Sequence, residues 1–352
     1  MIKTNRIEYI DALRGFTMLL VVLGHIEIFS FSEQAFLYTS IYKYFRMPLF
    51  FFISGYIAFK SKKVWDTHTF LKESSKKLRI QLIPTFFFGL IFTYLVAKEN
   101  IYTFILDTSK QGYWFTLVLL EMFLIYFSSN YILYKARKAN NDKAFMFAML
   151  CSVLLVYALK AISFYSFSVN QFITITSLYY LPFYYPHFIF GIFAAKYKSF
   201  FEKTIDNPYF MAATLILFSL TLGFRQTIIE NIPGGKELSA CLLSFTGIII
   251  VFNFFRKYQD SFSHTTQIGK TLQYIGKRTL DIYLLHYFFL PYIPKIHHLF
   301  GTSPNLIMEL TGFLFAFLII GCCLLLSNII RLSDFLGYCL FGVKKKENIK
   351  RL

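Results

Sequence analysis

Charge is scarce in this sequence, and the scarcity sets the class of protein. Only 16% of the 352 residues are Asp, Glu, Lys or Arg, while 56% are hydrophobic, which excludes an ordinary soluble globule. Cysteine is sparse as well. Cys151, Cys241, Cys322, Cys323 and Cys339 lie in or beside apolar runs with no metal-ligand spacing toward histidine, so they read as unpaired core thiols and no metal site is expected. There is no long linker, no low-complexity tract and no repeat of 20–50 residues, which excludes a solenoid and leaves one domain over residues 1–352. A small-residue cleavage site after the first apolar run is also missing, so that run reads as a retained membrane helix.

What the chain has in abundance is apolar and aromatic sequence, including 45 Phe and 25 Tyr. Segments long enough to cross about 30 Å of hydrocarbon recur between charged loops. Ten are expected, at 9–29, 44–59, 80–97, 112–134, 144–165, 178–195, 208–224, 238–255, 279–294 and 306–330. The fold class is therefore an all-α, polytopic membrane bundle. The second and ninth segments contain Pro48 and Pro291 with Pro294, which makes them candidates for kinked or partly unwound helices. A net charge of +17 raises the question of nucleic acid, but most of the Lys and Arg fall on one side of this topology. That asymmetry predicts both termini in the cytoplasm, with contacts to anionic membrane lipid rather than nucleic acid.

The ionisable residues inside spans are functional candidates because they are expensive there. The first span, RIEYIDALRGFTMLLVVLGHIEIF, carries Asp11, Arg14 and His25. On a helix turning about 100° per residue, Arg14 and His25 are almost in line and Asp11 lies within roughly 60° of both. About 16 Å of helix separates arginine from histidine. The plainer alternative pairs Asp11 with Arg14 at the membrane edge and leaves His25 near the far interface. Arg46 either snorkels to the interface or serves as an outward-facing cation for an acceptor hydroxyl or phosphate. Beside it, Ser54 and Gly55 allow a close helix approach. Lys76 and Arg79, at i, i+3 spacing in the basic stretch 60–79, could grip a phosphate from one helix face. Trp114 fits an interfacial aromatic belt or a stacking platform for a sugar, and Glu121 lies roughly 10 Å deeper, where a carboxylate needs a partner. In LQYIGKRTLDIYLLH, Lys277 stands at the cytoplasmic edge, and Tyr283 and His286 share a helix face. His187 among aromatics reads as structural, Lys160 as a snorkelling residue, and His297 and His298 as solvated loop residues.

Together the stretches RIEYIDALRGFTMLLVVLGH, RMPLFFFISGY and LQYIGKRTLDIYLLH, supported by KKLRI and YWF, resemble the membrane acyltransferase 3 family, which includes exopolysaccharide O-acetylases. They occur in the family's order over residues 6–290, followed by the last helix at 306–330 and a basic cytoplasmic tail at 331–352. The resemblance implies transfer of an acyl group, acetyl by default, from cytosolic acyl-CoA (acetyl-CoA) to a hydroxyl of an extracytoplasmic glycan, in a multi-pass protein of the inner cytoplasmic membrane. It assigns catalysis to His25 and donor binding to Arg14 and the basic pair, where Lys76 replaces an arginine and loses its bidentate fork. On this reading the CoA phosphates rest on Arg14, Lys76, Arg79 and Lys277, Glu121 orients His25, and Arg14 or Tyr283 meets the developing negative charge, with Asp11, Arg46, Trp114 and His286 in support. Two mechanistic routes stay open, direct general-base transfer and an acyl-histidine intermediate. The rival function is a transporter or flippase of a glycan or lipid precursor.

Overall fold

The computed structural model describes residues 7–31, 41–59, 63–296, 299 and 306–342. The loop at 32–40, His297 and His298, and the tail beyond 342 lie outside the described residues. Among those described, the regular structure is entirely helical. The expected site residues lie on α1 (Glu8–Phe31), α2 (Arg46–Ala58), α3 (Thr67–Lys77) with the π-helical turn Leu78–Leu82 that continues it, α4 (Trp114–Lys135), α5 (Gln267–Lys277) and α6 (Thr279–Phe289).

Among the described residues six helices are long and apolar enough to cross a bilayer: Glu8–Phe31, Thr67–Val96, Trp114–Lys135, Asp142–Ser163, Gly235–Lys257 and Leu306–Ile330. Their outward faces are apolar, with Phe147 69% and Leu314 63% exposed, as expected of helices in lipid rather than water. The other four expected segments also form helices, of 13 residues at Arg46–Ala58, 16 at Leu181–Lys196, 17 at Pro208–Phe224 and 11 at Thr279–Phe289. All four fall short of the roughly 20 residues that a full crossing takes. The third of these bends by 75° from the helix Lys198–Asp206 before it. The ninth expected segment stops at Phe289, and a 3-10 turn containing Pro291 follows.

The chain packs as two compact units, Met1–Phe59 with His187–Cys322 and Lys60–Pro186 with Cys323–Leu352. In the first, α1 lies directly against α5. A Cβ at Gly15 would run into the Leu272 carbonyl, and one at Gly276 into the Asp11 carbonyl. The two backbones meet there with only hydrogens between them, the small-residue approach that drives helix pairing in membranes. Arg278 breaks the helical path and α6 begins at the next residue. At the far end of α1, the Ser30 hydroxyl donates to the Pro294 carbonyl and the Ser30 carbonyl accepts from the Ile296 amide at 3.0 Å. Gly55 on α2 packs against the Phe188 carbonyl, the close approach expected of it.

In the second unit, much of the basic stretch expected as loop is helix. Asp66 caps α3 by accepting from the Thr69 amide at 2.8 Å, and lysines are good helix formers. Lys110, which falls between the third and fourth expected segments, is buried. Its ammonium donates to the carbonyls of Ile105, Asp107 and Thr174. Burial pushes that ammonium below the usual lysine range, opposed by the charges of Asp107 and Glu121.

Gly276→Val is expected to destabilise the protein by about 1–3 kcal/mol, because the added carbons overpack a backbone contact. Gly223→Val, at a position with open space around it, serves as the control. Thermal unfolding of both variants in the same detergent checks this, and equal midpoints would mean the α1–α5 contact is not tight.

Candidate active site

In the first unit the polar stripe of α1 has two ends. At the near end, the Arg14 Nη2 donates to Thr279 Oγ1 of α6 at 2.9 Å, and its Nη1 lies 3.6 Å from the Asp11 carboxylate. Arg278 and Asp281 form a similar i, i+3 pair at the start of α6, 3.7 Å apart. Asp11 and Asp281 are buried, whereas the Arg14 side chain keeps 27% of its exposure and Lys277 is exposed. The near end thus gathers the cations Arg14, Lys277 and Arg278, the first of them anchored to α6.

The far end centres on His25. Its Nε2 lies 3.2 Å from the Tyr287 hydroxyl, and its ring sits 5.1 Å from the ring of His286. His286 is fully buried, with Nδ1 at 2.7 Å from the Tyr283 carbonyl and 3.1 Å from the Ile282 carbonyl. A nitrogen facing carbonyl oxygens is the protonated one, so Nε2 of neutral His286 carries a lone pair. That Nε2 is buried and has no hydrogen-bond partner among the described residues. His25 itself is only partly buried. Arg46, on α2, lays its guanidinium against Gly24, where a Cβ would collide with it.

His187 has the structural role expected of it: buried, with Nε2 at 2.8 Å from the Ser244 hydroxyl and its ring stacked on Phe245. Among the described residues no group of three or more His, Cys, Asp or Glu is placed to hold a metal ion, and no disulfide joins the five cysteines.

The second unit holds the remaining expected residues. Lys76 is exposed at the end of α3. Arg79, in the π-helical turn, donates to the Tyr338 hydroxyl at 2.7 Å and lies over that ring, 4.7 Å from its centre. The wider π turn alters the one-face spacing an α-helix would have given these two residues. Trp114 carries Tyr180 and Tyr184 against its ring, at centroid distances of 4.4 and 5.3 Å. Glu121 Oε2 is buried without a hydrogen-bond partner among the described residues.

Tyr287 and Thr279 were not singled out from the sequence, although both lie on α6 beside residues that were. Their partners are more than 260 positions away, and no periodicity within one helix reports such a register.

These features define an all-α, multi-pass membrane protein whose first helix gathers ionisable side chains at both ends of one stripe. Residues 7–331 match the acyltransferase 3 family, described as an acyltransferase domain. The match covers nearly the whole chain, so the chain belongs to that family and its activity is acyl transfer. No curated protein and no solved structure matches it.

Tyr287→Phe is expected to lower turnover about 2- to 10-fold, the worth of one hydrogen bond that orients His25. The check is the rate of acyl transfer at equal membrane abundance; an unchanged rate would mean this hydrogen bond plays no part in turnover.

Proposed function

We propose that this protein is an O-acyltransferase of the inner membrane that moves an acyl group, acetyl by default, from cytosolic acyl-CoA to a hydroxyl of a cell-surface or lipid-linked glycan. The observation that carries the reading is His25: a partly accessible imidazole within a membrane helix, with a neutral tyrosine hydroxyl on its Nε2 and a second histidine beside it. Such a group is suited to taking a proton from an alcohol at neutral pH.

The donor's phosphates are assigned in the first unit to Arg14 and Lys277, two of the cations at the near end of the stripe. Helix α1 is unbroken from Glu8 to Phe31, so about 16 Å of rise separates Arg14 from His25. An extended pantetheine arm running along that stripe brings the thioester to the histidine. The acceptor hydroxyl then attacks the thioester carbonyl as His25 takes its proton, and the same proton passes to the departing thiolate. In the second unit, Lys76 and Arg79 carry the family-derived assignment of donor contacts. The distribution of basic residues supports cytoplasmic termini, which place the near end of α1 on the side where acyl-CoA is found.

Two measurements test this reading. In a deletion strain, O-acyl groups on the surface glycan are expected to return with wild type and not with His25→Ala at equal membrane level, a loss of at least about 100-fold. Full restoration by the variant would remove His25 from catalysis. Arg79→Ala is expected to raise the KM for acyl-CoA about 10- to 100-fold with a smaller effect on maximal rate, because a charge-assisted contact to phosphate is worth about 1.5–3 kcal/mol. An unchanged KM would remove Arg79 from the donor site.

A further inference from the structure

We propose that Arg46 is a catalytic cation that holds the oxyanion formed at the thioester carbonyl. The inference rests on the acyl-transfer reading with His25 as base and adds the electrophilic half of the site. Arg46 is the first residue of α2, and its guanidinium fills the space left by the missing side chain of Gly24, the residue just before His25. Its Nη1 is buried and has no hydrogen-bond partner among the described residues. Among the described residues no carboxylate is ion-paired with it: Asp11 and Asp281 face Arg14 and Arg278 at the near end of the stripe. What the guanidinium does have is the ring of Tyr42, 5.7 Å from its carbon. Its charge also acts on both His25 and Tyr287.

A cation held in an apolar bundle without a counter-charge is costly unless an anion is present for part of its working cycle. Acyl transfer supplies one in the required place. The acceptor oxygen forms a bond to the thioester carbon, and the carbonyl π pair moves onto the carbonyl oxygen. The pair returns as the carbon–sulfur bond breaks, and the CoA thiolate leaves with the proton that His25 had taken. Arg46 keeps its own proton throughout and donates N–H groups to the oxygen only while it is negative. Such donation favours the transition state over the bound thioester and therefore raises turnover rather than affinity. Arg14 is engaged at the other end of the stripe, about 16 Å along α1. It is too far away to serve the carbonyl that His25 serves. The start of α2, which has no side-chain cap, adds the positive end of a helix dipole to the same place.

The test uses membrane vesicles from the native cells, which carry the acceptor, supplied with labelled acetyl-CoA. Wild type is compared with His25→Ala, Arg46→Gln, Arg46→Lys and Gly24→Ala at equal abundance. Arg46→Gln is expected to lower the maximal rate about 10²–10³-fold with the KM for acetyl-CoA little changed. Arg46→Lys should recover part of the rate, because it keeps the charge and loses the planar fork. Gly24→Ala keeps the cation but displaces it, and should also slow the maximal rate. A wild-type maximal rate in Arg46→Gln overturns the assignment, as does a loss confined to KM, which would mark a binding cation instead. Should Arg46→Gln fail to accumulate, Gly24→Ala decides, and a wild-type rate there also overturns the proposal. An active His25→Ala removes the underlying reading, whereas an inactive His25→Ala beside an unimpaired Arg46→Gln removes Arg46 alone.

Discussion

The backbone contact between α1 and α5 is the constraint on which the site in the first unit depends. With hydrogens alone between Gly15 and the Leu272 carbonyl, and between Gly276 and the Asp11 carbonyl, the two helices are locked in both distance and register. Helix α6 starts three residues after Gly276, so its origin is set by the same contact and Thr279 falls within reach of Arg14. From there α1 and α6 run in the same direction. Eleven residues of α1 rise about 16 Å to His25, and eight residues of α6 rise about 12 Å to Tyr287. The long Arg14 side chain at the near end takes up the difference.

The two ends of the stripe differ in how completely their polar groups are satisfied. At the near end each buried carboxylate faces an arginine on its own helix, and Arg14 also ties α1 to α6. Those contacts meet the ordinary requirement that a buried charge be paired. At the far end, His286 spends its Nδ1–H on carbonyls of its own helix and leaves Nε2 bare, while the Arg46 Nη1 is unmatched among the described residues. A fold gains no stability by burying an unmatched acceptor and an unmatched cation in one neighbourhood. Groups left open in this way mark where a substrate completes the pattern. On the proposed reading the near end holds the structure, and the far end is where a substrate would complete the pattern.

Much of this was legible in the sequence, for identifiable reasons. The all-α membrane fold followed from long apolar runs, and α1 lies within two residues of its expected limits because nothing in the run competes with a helix. The stripe of Asp11, Arg14 and His25 needed only the helical period. Helix α3 was not legible from hydropathy. A polar helix rich in lysine looks like a loop on that scale, and only the Asp66 cap announces its start. The short extent of α6 was half-legible, since Pro291 marks where the helix cannot continue. Tyr287 as partner of His25, and Arg46 as neighbour of Gly24, depend on the register between helices far apart in the chain. Arg46 in particular read equally well as an interfacial cation, because one arginine at a helix start says nothing about which helix it will meet.

The unbroken course of α1 has a last consequence for the proposed reaction. If the donor's phosphates are held near Arg14 and its thioester reacts at His25, the distance between those points is fixed by a helix that can neither shorten nor bend without breaking its own hydrogen bonds, which lipid will not replace. The protein then cannot adapt the spacing to the donor, and the donor has to fit the spacing. Choice of a long, flexible carrier over a short thioester would follow from the rise of one helix. The acyl group beyond the thioester would then meet the groups beside His25, among them His286 and Tyr287. On that reading one helix would measure the carrier, and the elements packed against its far end would set the chemistry.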